Sequence, residues 1–169
     1  MDLLKTAIDW AKAEVFSSIF FILFGVVFLI ATIGFWQLGK TELAKAFVIP
    51  TIVAGILLLI IGLGLVYSNK SRIASFPTAY ESDASAFLQS EIDRTEKTMA
   101  GFNNVFRVIP IIIMIAALLI FFIDKPIWRA IGMTTIAMMI IIMMVDTNSN
   151  ARLDAYKKQL ELVETDLKN

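Results

Sequence analysis

Residues 105–156 read VFRVIPIIIMIAALLIFFIDKPIWRAIGMTTIAMMIIIMMVDTNSNARLDAY, two apolar runs (108–123 and 130–145) joined only by Asp124-Lys125-Pro126-Ile127-Trp128-Arg129. A connection that short makes two membrane-crossing helices lie antiparallel and side by side, so it also predicts which residues face each other beyond the membrane. Pro126 suits the first turn of the second helix, where no amide hydrogen is needed. Pro110 sits near the inner end of the first, a place for a kink.

Two further runs, 15–36 and 46–67, precede this pair, and no Asp, Glu, Lys or Arg falls inside any of the four. The first two exceed twenty residues, enough to cross a ~30 Å hydrocarbon core as helices. The last two cover about 24 Å at ~1.5 Å per residue and need flanking aromatics and snorkelling side chains to span. Over the whole chain of 169 residues, 58% are hydrophobic and 18% charged, with a mean hydropathy of +0.77. Soluble domains are less apolar and carry more charge, and too little polar sequence is present here to enclose four such helices. The fold class expected is an all-α integral membrane protein with four transmembrane helices arranged as two antiparallel hairpins.

With four spans both termini share a side. On it lie Lys5, Lys12, Lys70, Arg72, Arg94, Lys97, Arg107, Arg152, Lys157, Lys158 and Lys168, against only Lys40, Lys45, Lys125 and Arg129 opposite. The positive-inside rule places the termini in the cytoplasm, and a prokaryotic cytoplasmic (inner) membrane is the expected location. Trp36, Tyr67 and Trp128 stand at span ends as interfacial anchors. The first segment is not net positive and lacks a small-x-small cleavage site, so span one is expected to stay as an anchor.

Residues 1–14 put Asp2, Lys5, Asp9 and Lys12 on one face and Leu3, Leu4, Ala7, Ile8 and Ala11 on the other. That pattern predicts an amphipathic helix at the cytoplasmic interface, followed by the hairpin of residues 15–67. Within the hairpin Ser18, Gly25, Gly55 and Gly62 recur at seven-residue intervals, and a turn near Lys40 brings Gly25 to Gly55 and Ser18 to Gly62. Facing small residues let helix backbones approach closely. Residues 68–81, with Pro77 and many small polar residues, read as an irregular cytoplasmic loop.

From residue 82 a long helical hairpin is expected to run to 169, with spans three and four inside it (105–146) and cytoplasmic arms at 82–104 and 147–169. One arm carries Leu88, Ile92, Thr95, Met99, Phe102 and Phe106, the other Leu153, Tyr156, Leu160, Val163 and Leu167, both at heptad spacing. A turn near Lys125-Pro126 pairs residues whose numbers sum to about 251: Leu88 with Val163, Ile92 with Leu160, Met99 with Leu153. Two stripes meeting around one turn predict an antiparallel coiled coil. The same register sets Asp93 opposite Lys158 and Lys97 opposite Asp154. Glu91, Asp93 and Glu96 read as its solvated face.

At the inner boundary the register pairs Arg107 with Asp146 and sets Asn103 and Asn104 near Asn148 and Asn150, a structural ion pair within a hydrated joint able to meet lipid headgroups. Catalytic chemistry is not expected. The chain has no Cys and no His, no phosphate loop, no paired acids in a span and no nucleophile beside a base. No metal or cofactor site is expected: the methionines of span four suit packing better than Cu(I) because adjacent pairs point apart. A nucleic-acid patch is missing, and uncharged spans disfavour ion-coupled transport. The leading expectation is a non-enzymatic assembly or accessory subunit in contact with membrane lipids. It would form a homo-oligomer or hold a protein partner through its cytoplasmic hairpin. The alternative is a homo-oligomeric channel gated by an apolar constriction, with Ser17, Ser18, Thr32 and Thr51 as its lining. Its topology is similar to that of connexin and innexin channels, whose extracellular cysteines are missing here.

Overall fold

The computed structural model describes residues 3–168, with side chains through 166. Asp2 of the expected amphipathic helix and the side chain of Leu167 lie outside that range. The described chain is all-helical: α1 (Leu3–Leu38), α2 (Glu42–Ala46), α3 (Val48–Ser82), α4 (Ala84–Phe122) and α5 (Pro126–Lys168).

Each connection has a local cause. At Gly39 the amide donates to the Phe35 carbonyl at 3.1 Å, and a Cβ on Gly39 would collide with that same oxygen. Thr41 then caps α2, its Oγ1 accepting from the Ala44 amide at 3.1 Å. Asp83 alone separates α3 from α4. Its extended backbone (φ −161°, ψ 102°) donates back to the Ala79 carbonyl, while its carboxylate accepts from the Ser85 and Ala86 amides. At the last turn α5 begins on Pro126, and the Trp128 and Arg129 amides return to the Lys125 carbonyl. Arg129 pairs with Asp124 at 2.9 Å.

Four helices are long and apolar enough to cross a membrane, yet only 11–28% of each one's most apolar window is buried inside the protein. The remaining surface, including Phe16, Leu23, Ile30, Ile60, Ile111 and Phe121, is exposed hydrocarbon. An apolar belt of that extent is what a lipid-facing surface requires.

Contacts between α1 and α3 run in opposite directions along their length. Phe35 stacks on Phe47 with ring centroids 4.9 Å apart, Thr32 bonds Thr51, and Gly25 meets Gly55. A Cβ on Gly25 would lie 3.0 Å from the Gly55 carbonyl oxygen and 2.8 Å from Leu59 Cγ. Gly62 meets Phe21 and Ile22 in the same way. Ser18, expected opposite Gly62, is buried and bonds its own helix at the Glu14 carbonyl, 2.7 Å away.

Beyond the apolar runs all four long helices continue into one core. Leu3, Ala7, Trp10 and Ala11 of α1 pack there with Phe76 of α3, Phe87, Leu88 and Ile92 of α4, and Leu153, Tyr156 and Leu160 of α5; Met99 and Val163 pack at its edge. Two expectations are corrected by this core. The N-terminal segment does not form a separate interfacial helix: it is continuous with span one, and its apolar face is buried in protein. Residues 68–81 are not irregular. They extend α3 through Pro77, because Asn69, Ile73, Phe76 and Tyr80 supply a stripe that the core takes in.

Candidate functional site

Where the apolar runs end, each long helix delivers charged or polar groups into the interior. Glu91 on α4 is 4% exposed. Its carboxylate accepts from Arg94 Nε at 2.9 Å and Nη2 at 2.6 Å, and from the Tyr156 hydroxyl at 2.8 Å. The Arg94 guanidinium lies over the Trp10 ring, 4.2 Å from its centroid, and Trp10 stacks on Tyr156 at 5.1 Å. Trp10 of α1 and Tyr156 of α5 thus both contact the α4 ion pair, Trp10 through the guanidinium and Tyr156 through the carboxylate. Burial, and then the neighbouring Glu91 anion, raise the Tyr156 hydroxyl above its ordinary range, so it stays a donor.

A second group sits one turn further along α1. Arg152 of α5 donates to Glu14 Oε1 at 2.9 and 3.1 Å, to Ser17 Oγ at 2.6 Å and to Ser149 Oγ at 3.0 Å. On α3, Arg72 reaches only Asn69 Oδ1, at 3.0 Å, while the Asn69 amide is committed to the Leu65 carbonyl. Among the described residues no carboxylate lies within ion-pair distance of Arg72. Its pKa falls below the ordinary arginine value because burial and then the adjacent Arg94 charge oppose protonation, with Glu91 offsetting them in part.

These groups surround a cavity of about 410 Å³, within the ~300–1,000 Å³ span of small-molecule sites. Its lining is part apolar and part charged. Phe21, Leu65, Val105 and Val145 are among its apolar residues, and Glu14, Arg72, Arg94 and Asp146 are its charged ones. Trp10 also lines it, and the buried Trp10 Nε1 has no partner among the described residues. The arrangement has no nucleophile set against a base. What it can do is hold a polar, charged group whose tail is apolar.

Several expected site residues are placed elsewhere. Arg107 is exposed and forms no ion pair with Asp146, which instead faces the cavity and the Glu14 charge. The joint of Arg107, Asn103, Asn104, Asn148 and Asn150 is therefore not assembled: Asn103, Asn104 and Asn148 are exposed, and the Asn148 amide bonds its own helix at the Met144 carbonyl. Lys158 pairs with Asp154 on the same helix, and Asp93 accepts from Gln89, so neither cross-helix charge pair of the expected register forms. Lys157 does cross, to Glu96 at 2.9 Å. Ser17, Ser18, Thr32 and Thr51 are all buried. Thr32 and Thr51 share a hydrogen bond of 2.8 Å.

No family model, curated protein or solved structure matches the chain. Sequence reasoning missed Glu91, Arg94, Trp10 and Arg72 as one site, and the signal for them was the unassigned stripe on 69–80 together with a heptad position beside the predicted seam.

Proposed function

We propose that the chain is an integral membrane protein that acts as a non-enzymatic assembly or accessory subunit, its termini in the cytoplasm. The observation that carries the membrane reading is the contrast along each helix: apolar windows left mostly outside the protein, polar extensions folded around a shared core. In this reading the α4 and α5 extensions are the expected antiparallel coiled coil, now flanked by α1 and α3. The apolar stripe of that hairpin is consumed internally, so a partner meets its outer charged face, where Asp93, Glu96 and Lys97 lie. For the pore alternative, the four hydroxyl residues assigned to its lining are buried within the single chain.

The absence of cysteine makes a topology test clean. Single substitutions K40C, K125C and D83C are labelled with a membrane-impermeant maleimide in intact cells and after lysis. K40C and K125C should react in intact cells and D83C only after lysis. Reaction of all three from one side overturns the four-span reading. For the subunit role, a photo-crosslinking residue at Asp93 should yield a discrete adduct in native membranes, with a second copy or with another protein. Its absence from all exposed hairpin positions, together with reproducible conductance on reconstitution, would favour a channel.

A further inference from the structure

The cavity between α3 and α4 holds two charges that have no ion-pair partner among the described residues. Arg72 on α3 has no carboxylate partner, and Asp146 on α5 has neither an ion pair nor a hydrogen bond among the described residues. They do not pair with each other although both line the same space. Every other charged side chain lining that cavity is engaged: Arg94 with Glu91, Glu14 with Arg152. Uncompensated charges at partly buried positions cost stability unless a ligand supplies the counter-charge. A cation and an anion left over on separate helices call for a ligand bearing both signs.

Two features identify where such a ligand comes from. Part of the cavity's wall is hydrocarbon, with Leu65 on α3, itself exposed, and Val105 on α4. And α3 touches α4 far less than it touches α1, so the cavity lies along a seam between helices that face the bilayer rather than under a closed roof. We propose that this seam binds the headgroup of a zwitterionic aminophospholipid. The phosphate lies against Arg72, within reach of hydroxyls such as Ser68 and Thr98; the ammonium lies toward Asp146, and the acyl chains leave between Leu65 and Val105 into the membrane. The proposal rests on the membrane reading above and is independent of the subunit role.

The test uses the full-length protein in mild detergent, stripped of lipid, with thermal unfolding and native mass spectrometry as readouts. The probes are phosphatidylethanolamine, phosphatidylglycerol, phosphatidylcholine and soluble phosphoethanolamine. Phosphatidylethanolamine should be retained one per chain and raise the unfolding temperature most. R72Q should lower its occupancy by roughly tenfold, the change one charge-assisted contact makes. D146N, which removes a charge that has no ion-pair partner, should fold normally and abolish the preference for the ethanolamine over the glycerol headgroup. R107Q, at an exposed arginine near the same depth, should change neither. Equal retention of phosphatidylglycerol by the native protein overturns the zwitterion assignment. Protection by soluble phosphoethanolamine equal to that of the lipid overturns the bilayer as the source. Unaltered lipid binding in a folded R72Q, checked by circular dichroism, overturns the site itself. The maleimide topology result stands apart from all three outcomes, so failure of the site and failure of the membrane reading are separable.

Discussion

Replacing Glu91 by Gln tests the interior ion pair most directly. The Glu91 side chain is 5% accessible and Arg94 17%, so water contributes little to either charge. Gln keeps one carbonyl acceptor but removes the anion and puts an NH₂ where a donor already points. Breaking one side of a buried pair costs about 3–5 kcal/mol; Arg94 retains its place over Trp10 and some solvent, which argues for about 3 kcal/mol. That is a change of roughly 100-fold in the folding equilibrium, or a fall of roughly 6–12 °C at ~2–4 °C per kcal/mol for a chain of this size. The assay is reversible unfolding in mixed micelles, followed by tryptophan emission, which senses Trp10. Removing both charges with E91L/R94L should return most of the loss, because no lone charge remains; adding Y156F removes the hydroxyl left behind and should return more. A loss under about 0.5 kcal/mol for E91Q, the range of ordinary surface changes, would refute the argument. So would a double substitution as damaging as the sum of the single ones.

Three further outcomes follow from the same geometry. Gly25→Leu and Gly55→Leu should each cost about 1–3 kcal/mol by overpacking, whereas Gly34→Ala, with open space at its Cβ, should be neutral or gain up to ~1 kcal/mol from helix propensity; the same unfolding assay compares them. Thr32→Val should cost about 0.6 kcal/mol, a typical interhelical hydrogen bond in a membrane, and T32V/T51V should cost less than the two single changes added together. Asp83→Asn should flatten the acid limb of the stability profile. Hydrogen bonds from the Ala86 amide and then Ser85 hold the Asp83 carboxyl below its ordinary value of 3.8. Its capping contribution is therefore complete above that value and is lost as the pH falls through the lower folded one, a dependence the uncharged amide lacks; a native profile between pH 7 and pH 3 no steeper than that of D83N would contradict it.

The four apolar runs, the Pro126 start of the last helix and the Gly25–Gly55 approach were legible because each depends on one or two helices only. The existence of a long apolar helix needs the composition of one segment, and a tight turn needs its own few residues. The heptad stripes were legible for the same reason, and Leu88, Ile92, Leu153, Tyr156 and Leu160 do share a core. What failed was any inference that assumed the α4–α5 pair stood alone. A two-stranded seam buries two positions in seven, whereas a bundle helix buries about three. Glu91 occupies the extra position: it directly precedes Ile92 of the stripe and looked solvated for a pair, but α1 closes over it with Trp10. Residues 68–81 misled in the opposite direction, since Pro77 and small polar residues describe the exposed face of α3 and hid the Asn69, Ile73, Phe76 and Tyr80 spacing beneath it.

The predicted Arg107–Asp146 pair is missing for a related reason. Register around the turn at Lys125-Pro126 places the two at similar positions along their helices, but that is only one coordinate. Rotation about each helix axis is set by what the helix must bury, and α5 buries Val145, Ser149 and Leu153 toward α1 and the cavity. Asp146, next to Val145, is carried round with them and faces Glu14, while Arg107, beside the buried Ile109, is left on the outside of α4. Charge partners are thus chosen after the apolar faces are, because burying a side chain such as Leu153 contributes about 1.5–3 kcal/mol and an exposed ion pair about 0.2–1 kcal/mol. The unanswered charges at Arg72 and Asp146 are the residue of that ordering. The core fixed both helices' rotation, and the seam between α3 and α4 kept the two charges apart where a bilayer headgroup can reach them.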